Sequence, residues 1–284
     1  MSGIFFRTLW RLIVGLMAIA LAYITVFLIY PYLQDRMPFL IVLIIIYIWA
    51  AYIGIPLLVR MWRTVFKSSH LPIYTTTRDG WSSDPVNIAI VCKSKKQLIN
   101  HMKSAGWNIA DPVTTKTFLR TLYCIATRKS YPSAPFSKAY LFDRVYDIGF
   151  QIESGDRPSP SHRHHVRFWH LLADQPEDKH SHGVFWNGIM NLFTKKQQQI
   201  WIGAASYDSR PFAIRIQNLQ ITHQIDSKTN DERDFLINTL QQNNSISGIG
   251  TVKAGEPLQF KGQTFGLKLI ADGSLKVVKL KKIF

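Results

Sequence analysis

Two uncharged apolar runs lie back to back near the amino end of the chain. Leu12 to Tyr30 spans 19 residues and Pro38 to Val59 spans 22 residues, and neither contains a charged side chain. A helix needs roughly 20 apolar residues to cross the hydrocarbon core of a bilayer. The seven residues between the runs suffice only for a tight turn. The sequence therefore predicts a hairpin of two membrane-spanning helices within residues 1–67.

A cleavable signal peptide is the alternative interpretation of the first run. The apolar core of a signal peptide is about 7–15 residues long and precedes a cleavage site of small residues. The first run is longer, and the second run follows it without such a site. We therefore favour the hairpin.

The basic residues around the hairpin predict its orientation. They flank its outer ends, at Arg7, Arg11, Arg60, Arg63 and Lys67. The turn has only Arg36, beside Asp35. Because Lys and Arg are retained on the cytoplasmic side, both termini are expected in the cytoplasm, as in a protein of an inner membrane. Cys92 and Cys124 have apolar neighbours, which is typical of buried thiols in a reducing compartment.

Residues 68–284 are long enough for one domain with a sizeable core. They contain 28 basic and 17 acidic side chains, a net charge of +11. A basic domain beside a bilayer predicts attraction to anionic lipid head groups. The charge is scattered, with one dense cluster at Lys276, Lys279, Lys281 and Lys282. We therefore expect no nucleic acid partner, and most of the charge is interpreted as a solvated surface.

Short strands and helices alternate along this domain, which predicts an α+β fold. Helices are expected at Lys95 to Gly106, Thr114 to Thr127 and Asp231 to Gln242. Strands are expected at Val86 to Val91, Asp147 to Ile152, His164 to Leu171, Gln199 to Ser206 and Phe212 to Asp226, with two or three antiparallel strands in Gln259 to Phe284. Within the long insertion Ala173 to Gln198, the apolar stripe of Val184 to Phe193 favours an interfacial helix over a core helix.

The densest group of chemically active side chains lies between Ser161 and His170. In a strand, alternate side chains share a face. One face would hold His162, His164, Val166, Phe168 and His170, and we expect it to point inward. The other would hold Arg163, His165 and Arg167, where two guanidiniums suit an anion and an imidazole can transfer a proton. An exposed polar face without chemistry is the alternative.

A metal site is the less favoured interpretation of the histidines. His162 and His164 have the spacing of ligands on one strand, and His223 and Asp226 would complete the site from another. His223 also shares a face with Leu219, Ile221 and Ile225, as a hydrogen-bonded core histidine would. We therefore predict no cofactor. Further on, Asp231 is expected to cap or open a helix, while Glu232 and Arg233 could reach back to the histidine strands.

Several segments, in this order, resemble the LssY C-terminal domain family. The resemblance covers roughly Asp84 to Gln241. Its segments are Asp84-Pro-Val-Asn, Gly106 to Pro112, Ala134 to Phe142 with Arg144, Asp147-Ile-Gly-Phe-Gln151, Arg163 to Trp169, Trp201 to Asp208, Thr222-His223, Ile225-Asp226 and Glu232-Arg-Asp234. Asp143, Gln224 and Asn230 depart from the pattern, at positions where Gly, His and Asp are expected.

The resemblance implies a bacterial membrane protein, since such domains are fused to membrane modules of the phosphatidic-acid-phosphatase or DedA type. The family name suggests a link to type I secretion, and no reaction is established for the domain.

Our first hypothesis is a hydrolase acting on a phosphate-bearing envelope lipid. His165, Arg163, Arg167, His223, Asp226 and Arg233 would form its site, supported by His164, Asp147, Gln151 and Glu232. The alternative is a non-catalytic accessory module of an envelope or secretion assembly, which would bind lipid head groups or a protein. A solvent-accessible cleft around these residues would favour the enzyme, and their dispersal or full burial would favour the module.

Overall fold

The computed structural model describes residues 2–65, 74–142, 144–171, 198–216, 218–253, 258–261 and 267–281. Two long apolar helices are followed by a mixed α+β arrangement of helices and sheets, which confirms the predicted fold class. The chain forms two compact units, one of Met1–Ser69 with Ile214–Ile221 and one of His70–Ala213 with Thr222–Phe284. The predicted interfacial helix of Val184 to Phe193 lies outside the described residues.

The first unit contains two helices that are long and apolar enough to span a membrane, Leu9–Gln34 and Phe39–Val59. We call them the first and second apolar helix. Each is α-helical with a π-helical segment inside it. The first lies within the continuous run of α1 (Ser2–Tyr23), the segment Ile24–Ile29 and α2 (Tyr30–Gln34). The second lies within the run of α3 (Phe39–Trp49), the segment Ala50–Gly54 and α4 (Ile55–Val65). Most of their apolar side chains are exposed, as expected of helices surrounded by lipid.

Three helices and fourteen strands are described beyond the apolar helices. The helices are α5 (Lys95–Ser104), α6 (Thr115–Thr127) and α7 (Thr229–Gln242). The strands are β1 (Tyr74–Thr76), β2 (Ser82–Pro85), β3 (Ile88–Cys92), β4 (Asn108–Ile109), β5 (Tyr140–Leu141), β6 (Arg144–Val145), β7 (Ile148–Glu153), β8 (Arg163–Leu171), β9 (Gln199–Ile214), β10 (Ile221–Ile225), β11 (Ile246–Lys253), β12 (Leu258–Lys261), β13 (Lys268–Ala271) and β14 (Ser274–Leu280).

The central sheet has the order β11-β14-β3-β9-β8-β7-β4, with β10 beside β9. Neighbouring strands are antiparallel except β14 and β3, which are parallel. One face carries an apolar core with α5 and α7, to which Leu98 and Leu236 belong. The opposite face carries a second core with β5, to which Leu141 and Trp169 belong. Both faces of the sheet are therefore covered, so residues on either face of β8 can be buried.

The structure corrects several predicted elements. The predicted strand Phe212 to Asp226 is a hairpin, because the chain turns between β9 and β10, where Leu219 has a positive φ of 57°. In that turn Asn218 Oδ1 accepts the N–H of Gln220. The strand β11 was not predicted, and β14 pairs in parallel with β3 as well as antiparallel with β11. Helix α7 begins at Thr229, so Asp231 lies in its first turn and does not cap it.

Candidate functional site

The odd-numbered residues of β8 form the centre of a buried polar cluster. In the antiparallel register, His165 lies between Gln151 of β7 and Ser206 of β9, and Arg163 lies opposite Asp208 of β9. Strand geometry places these side chains on one face of the sheet. Their position follows from the two strand pairings that flank β8.

Arg163 holds Asp208 in this cluster. Arg163 Nε donates to Asp208 Oδ2 at 2.8 Å, and Arg163 Nη1 donates to Gln151 Oε1 at 2.7 Å. Nη1 also donates to the backbone oxygen of Ala134 at 3.1 Å. The side chains of Arg163 and Asp208 are only 6% and 1% exposed. This guanidinium is therefore committed to protein partners.

Arg167 forms the second buried ion pair. Its Nη1 donates to Asp84 Oδ2, and the same atom lies 2.9 Å from His165 Nε2. Since a guanidinium can only donate hydrogen bonds, His165 Nε2 accepts one. We therefore assign the imidazole proton of His165 to Nδ1.

Asp208 Oδ1 lies between two imidazoles. It is 3.4 Å from His165 Nδ1 and 3.3 Å from His223 Nε2. Asp208 Oδ1, His165 Nδ1 and Ser206 Oγ are buried and have no hydrogen-bond partner among the described residues. The His223 side chain, on β10, is 23% exposed, whereas that of His165 is fully buried. His223 therefore connects Asp208 to the surface.

The buried charges shift the pKa values of this cluster. Burial alone would raise the pKa of Asp84, but opposing effects, of which the guanidinium charge of Arg167 is the largest, lower that pKa to about 2. Burial would also raise the pKa of Asp208, but the neighbouring His223, His165 and Arg163 together lower it. Burial lowers the pKa of His223 below its usual 6.5, and the neighbouring Asp208 opposes this effect. Both carboxylates are therefore ionised at neutral pH, and His223 is neutral there.

An irregular segment covers the cluster, and we call residues 133–137 the covering segment. Within it, the centroid of the Phe136 ring lies 5.2 Å from the centroid of the His165 ring. The same centroid lies 4.7 Å from the guanidinium carbon of Arg167. Beneath that ring is Gly149, where a Cβ would stand 2.3 Å from Phe136 Cζ. A residue without a Cβ is thus required for the ring to pack this closely over the sheet.

The structure brings four of the six predicted catalytic residues together: Arg163, His165, Arg167 and His223. Gln151, predicted to support the site, also belongs to the cluster. The alternative of an exposed polar face on β8 is wrong, because Arg163, His165 and Arg167 are at most 5% exposed. The predicted burial of the His223 face also needs correction. Ile225 is buried, but Leu219 and Ile221 are exposed because they belong to the hairpin turn and its edge.

The other predicted supporting residues lie elsewhere. His164 is on the opposite face of β8, where its Nδ1 is 2.8 Å from Glu232 Oε2 and its ring stacks on Phe235. Asp147 is at the surface, where it accepts hydrogen bonds from Arg144 Nη1 and from the backbone N–H of His170.

Asp226 and Arg233 do not join the cluster. Asp226 is exposed and accepts the N–H of Lys228 in a turn. Arg233 is buried on α7, where it pairs with Asp234 and Asp272. The residues considered for a metal site are also separated, since His164 and His223 are on opposite faces and His162 is exposed. In the part of the chain that the structure describes, no group of three or more His, Cys, Asp or Glu side chains could hold a metal ion.

Three important residues were missed by the sequence analysis: Asp84, Asp208 and Phe136. Each lies in a segment that carries the family resemblance, namely Asp84-Pro-Val-Asn, Trp201 to Asp208 and Ala134 to Phe142. The sequence signal for the two acids was their position in these segments together with two arginines on one face of a strand. A buried guanidinium requires a partner of opposite charge.

Comparison with known proteins gave one match. The family described as LssY C-terminus matches residues 68–274. No curated protein and no solved structure matches the chain.

Proposed function

The chain belongs to the LssY C-terminus family, and on that premise we propose a membrane-anchored bacterial hydrolase that acts on a phosphate-bearing lipid. The two apolar helices would anchor it in the inner membrane with both termini in the cytoplasm. The exposure of their apolar side chains supports an anchor, and the bias of Lys and Arg supports the orientation.

The observation that carries the proposal is the contact between His223 and Asp208. A carboxylate oxygen 3.3 Å from one ring nitrogen attracts that side of the imidazole by its charge and leaves the other nitrogen to exchange a proton. Because burial lowers the pKa of His223, the ring is neutral near pH 7 and can accept a proton. We assign His223 as the general base and Asp208 as the residue that positions it, in place of the role first expected of His165.

In hydrolysis at this site, His223 would act first as a general base and then as a general acid. Its free ring nitrogen would take a proton from water as the water oxygen bonds to phosphorus. The phosphorus–oxygen bond to the lipid alcohol would then break, and the proton would pass to the leaving oxygen. Arg163 and Arg167 neutralise the buried carboxylates. Among the described residues, Arg210 is exposed and lies two residues beyond Asp208 on the same face of β9, where it is a cation available to the phosphate.

The test uses the full chain with vesicles that contain either a phosphomonoester or a phosphodiester lipid. We expect release of phosphate or head group from one of them, and loss of this release in His223→Gln. His162→Gln is the matched control, since His162 is exposed and outside the cluster. Full turnover by His223→Gln, or no release from either lipid, would overturn the proposal.

A specific observation favours a second function, that of a non-catalytic module that binds lipid head groups or an envelope or secretion protein. Arg163, His165 and Arg167 are buried and lie beneath the covering segment, as in a cluster that stabilises a fold. Binding of a soluble analogue of the lipid head group to the full chain distinguishes the two functions. Binding without turnover, unchanged in His223→Gln, would support the module.

A further inference from the structure

The turn between β9 and β10 is unusually apolar for a hairpin. We call residues Ile214–Ile221 the hairpin tip. The large apolar side chains there and at the preceding strand end are 44–58% exposed: Phe212, Ile214, Ile216, Leu219 and Ile221. A soluble hairpin ordinarily ends in polar turn residues. This tip therefore presents an apolar surface that water does not favour.

The hairpin tip belongs to the same compact unit as the two apolar helices. Hydrogen bonds between described residues join it to the second apolar helix. Gln220 Nε2 donates to the backbone oxygen of Ala51 at 2.9 Å, and Tyr47 Oη donates to that of Leu219 at 2.6 Å. The N–H of Ile221 donates to Tyr52 Oη at 3.3 Å.

The contact at Ala51 is explained by the helix itself. Across the π-helical segment the Ile55 N–H donates to Ala50 O, five residues back. The next donor in that pattern would be Pro56, which has no N–H. The oxygen of Ala51 is thus left without a donor from its own helix, and the Gln220 amide supplies one. An unsatisfied carbonyl in hydrocarbon costs several kcal/mol, so this contact suits a site away from water.

Several polar groups of the described tip residues are bonded within the tip. Gln220 O accepts the N–H of Arg215, and Arg215 O accepts the N–H of Leu219. Arg215 Nη1 donates to Gln220 Oε1, and Asn218 is buried. Backbone outside a helix or barrel is tolerated at membrane depth only where protein satisfies its polar groups.

The depth of the contact follows from helix geometry. Ala51 precedes Arg60 by nine residues, or about 13 Å at a rise of about 1.5 Å per residue. Half the hydrocarbon core of a bilayer is about 15 Å thick. If Arg60 marks the cytoplasmic boundary, the contact at Ala51 lies well inside the hydrocarbon.

We infer that the hairpin tip is inserted among lipid acyl chains beside the second apolar helix, as a third membrane-embedded element. The inference rests on the membrane anchoring proposed above and is independent of the hydrolase activity. The partner that fits the surface is the acyl region of the bilayer, because the large exposed side chains described there are aliphatic or aromatic.

The experiment places an environment-sensitive fluorophore on single cysteines of the full chain in vesicles. Ile216→Cys reports on the tip, Phe27→Cys on the first apolar helix and Lys253→Cys on an exposed site of β11. The native Cys92 and Cys124 are buried, and the unsubstituted chain measures their background labelling. Quenching is compared between lipids spin-labelled on the acyl chain and aqueous iodide.

We expect the acyl-chain label to remove most of the emission at Ile216 and Phe27, and iodide to remove it only at Lys253. Quenching of Phe27 by the lipid together with quenching of Ile216 by iodide would overturn the tip inference and leave the anchor standing. Quenching of both positions by iodide would overturn the anchor and the tip together. Ile214→Cys repeats the measurement should the first tip variant fail to fold.

Discussion

The two faces of β8 are buried by different means. Its even-numbered residues Val166 and Phe168 pack into an apolar core with helices α5 and α7. Its odd-numbered residues Arg163 and Arg167 are equally buried, but beneath an irregular segment and beside two carboxylates. One face is stabilised by loss of apolar surface from water, and the other by the mutual pairing of charges.

This difference determines how each face responds to change. An apolar core loses free energy in proportion to the volume removed and to how well its neighbours collapse. A complete buried ion pair contributes little net free energy to stability. Removal of one partner, however, leaves an uncompensated charge in the interior. We therefore expect the charged face to tolerate single substitutions least.

The largest expected effect is that of Asp84→Ala, which leaves the buried guanidinium of Arg167 without its carboxylate. We expect a loss of about 3–5 kcal/mol in the free energy of unfolding. Asp147→Ala is the control, since the Arg144–Asp147 pair is about 30% exposed and such pairs contribute about 0–1 kcal/mol. Urea unfolding of the full chain in detergent measures both. Equal losses in the two variants would show that the cluster does not depend on its charges.

A second prediction compares two glycines that each lie under a phenylalanine. A Cβ at Gly203 would stand 2.6 Å from Phe168 Cε1 on the helical face, and one at Gly149 would stand 2.3 Å from Phe136 Cζ. We expect Gly203→Ala to cost about 1–3 kcal/mol, since Phe168 is fixed in a strand. We expect Gly149→Ala to cost less, because the covering segment can shift.

Gly248→Ala is the matched control, because no atom lies within 4 Å of a Cβ built there. Thermal melts of the three variants give the order of stability. A larger loss for Gly149→Ala than for Gly203→Ala would show that the covering segment is as rigid as the core.

The smallest effect expected is the dependence of stability on pH. His223 has a lowered pKa in the folded chain, so the unfolded chain binds its proton first as pH falls. Stability should therefore decrease as pH falls below about 6.5. The Asp84 contribution is present above its unfolded pKa of 3.8 and is lost as pH falls through about 2.

The contribution of His223 is measured as the difference in melting temperature between about pH 7.5 and about pH 5.5. We expect this difference to be smaller in His223→Gln than in the unsubstituted chain. His170 also has a pKa that is lowered chiefly by burial. The same difference in melting temperature is therefore measured in His170→Gln for comparison. An unchanged difference in His223→Gln would contradict the assigned burial of that ring.

The apolar helices and the main elements of the α+β fold could be predicted from the sequence because their signals are local. Run length identifies the helices, and period-two alternation placed Arg163, His165 and Arg167 on one face of a strand. Whether that face is exposed depends on the preceding strand β7 and also on strand β9 and Phe136, which are distant in sequence. Alternation alone therefore gave the correct grouping and the wrong exposure.

The partners of the two arginines depend on tertiary contacts in the same way. Asp84 is 83 residues from Arg167 and Asp208 is 45 residues from Arg163. Alternation along β8, a local effect, separates His164 from its sequence neighbour His165. Asp226 and Arg233 lie in segments that carry the family resemblance, but the turn before α7 directs them elsewhere.

The position of β3 within the central sheet has a consequence for biosynthesis. Ile88–Cys92 is an apolar strand whose two neighbours, β9 and β14, begin at Gln199 and Ser274. The ribosome therefore releases β3 more than 100 residues before either pairing partner. Unpaired apolar strands with distant partners fold slowly and are prone to aggregation. We expect the nascent chain to need protection by a chaperone at β3 until Ser274–Leu280 has emerged.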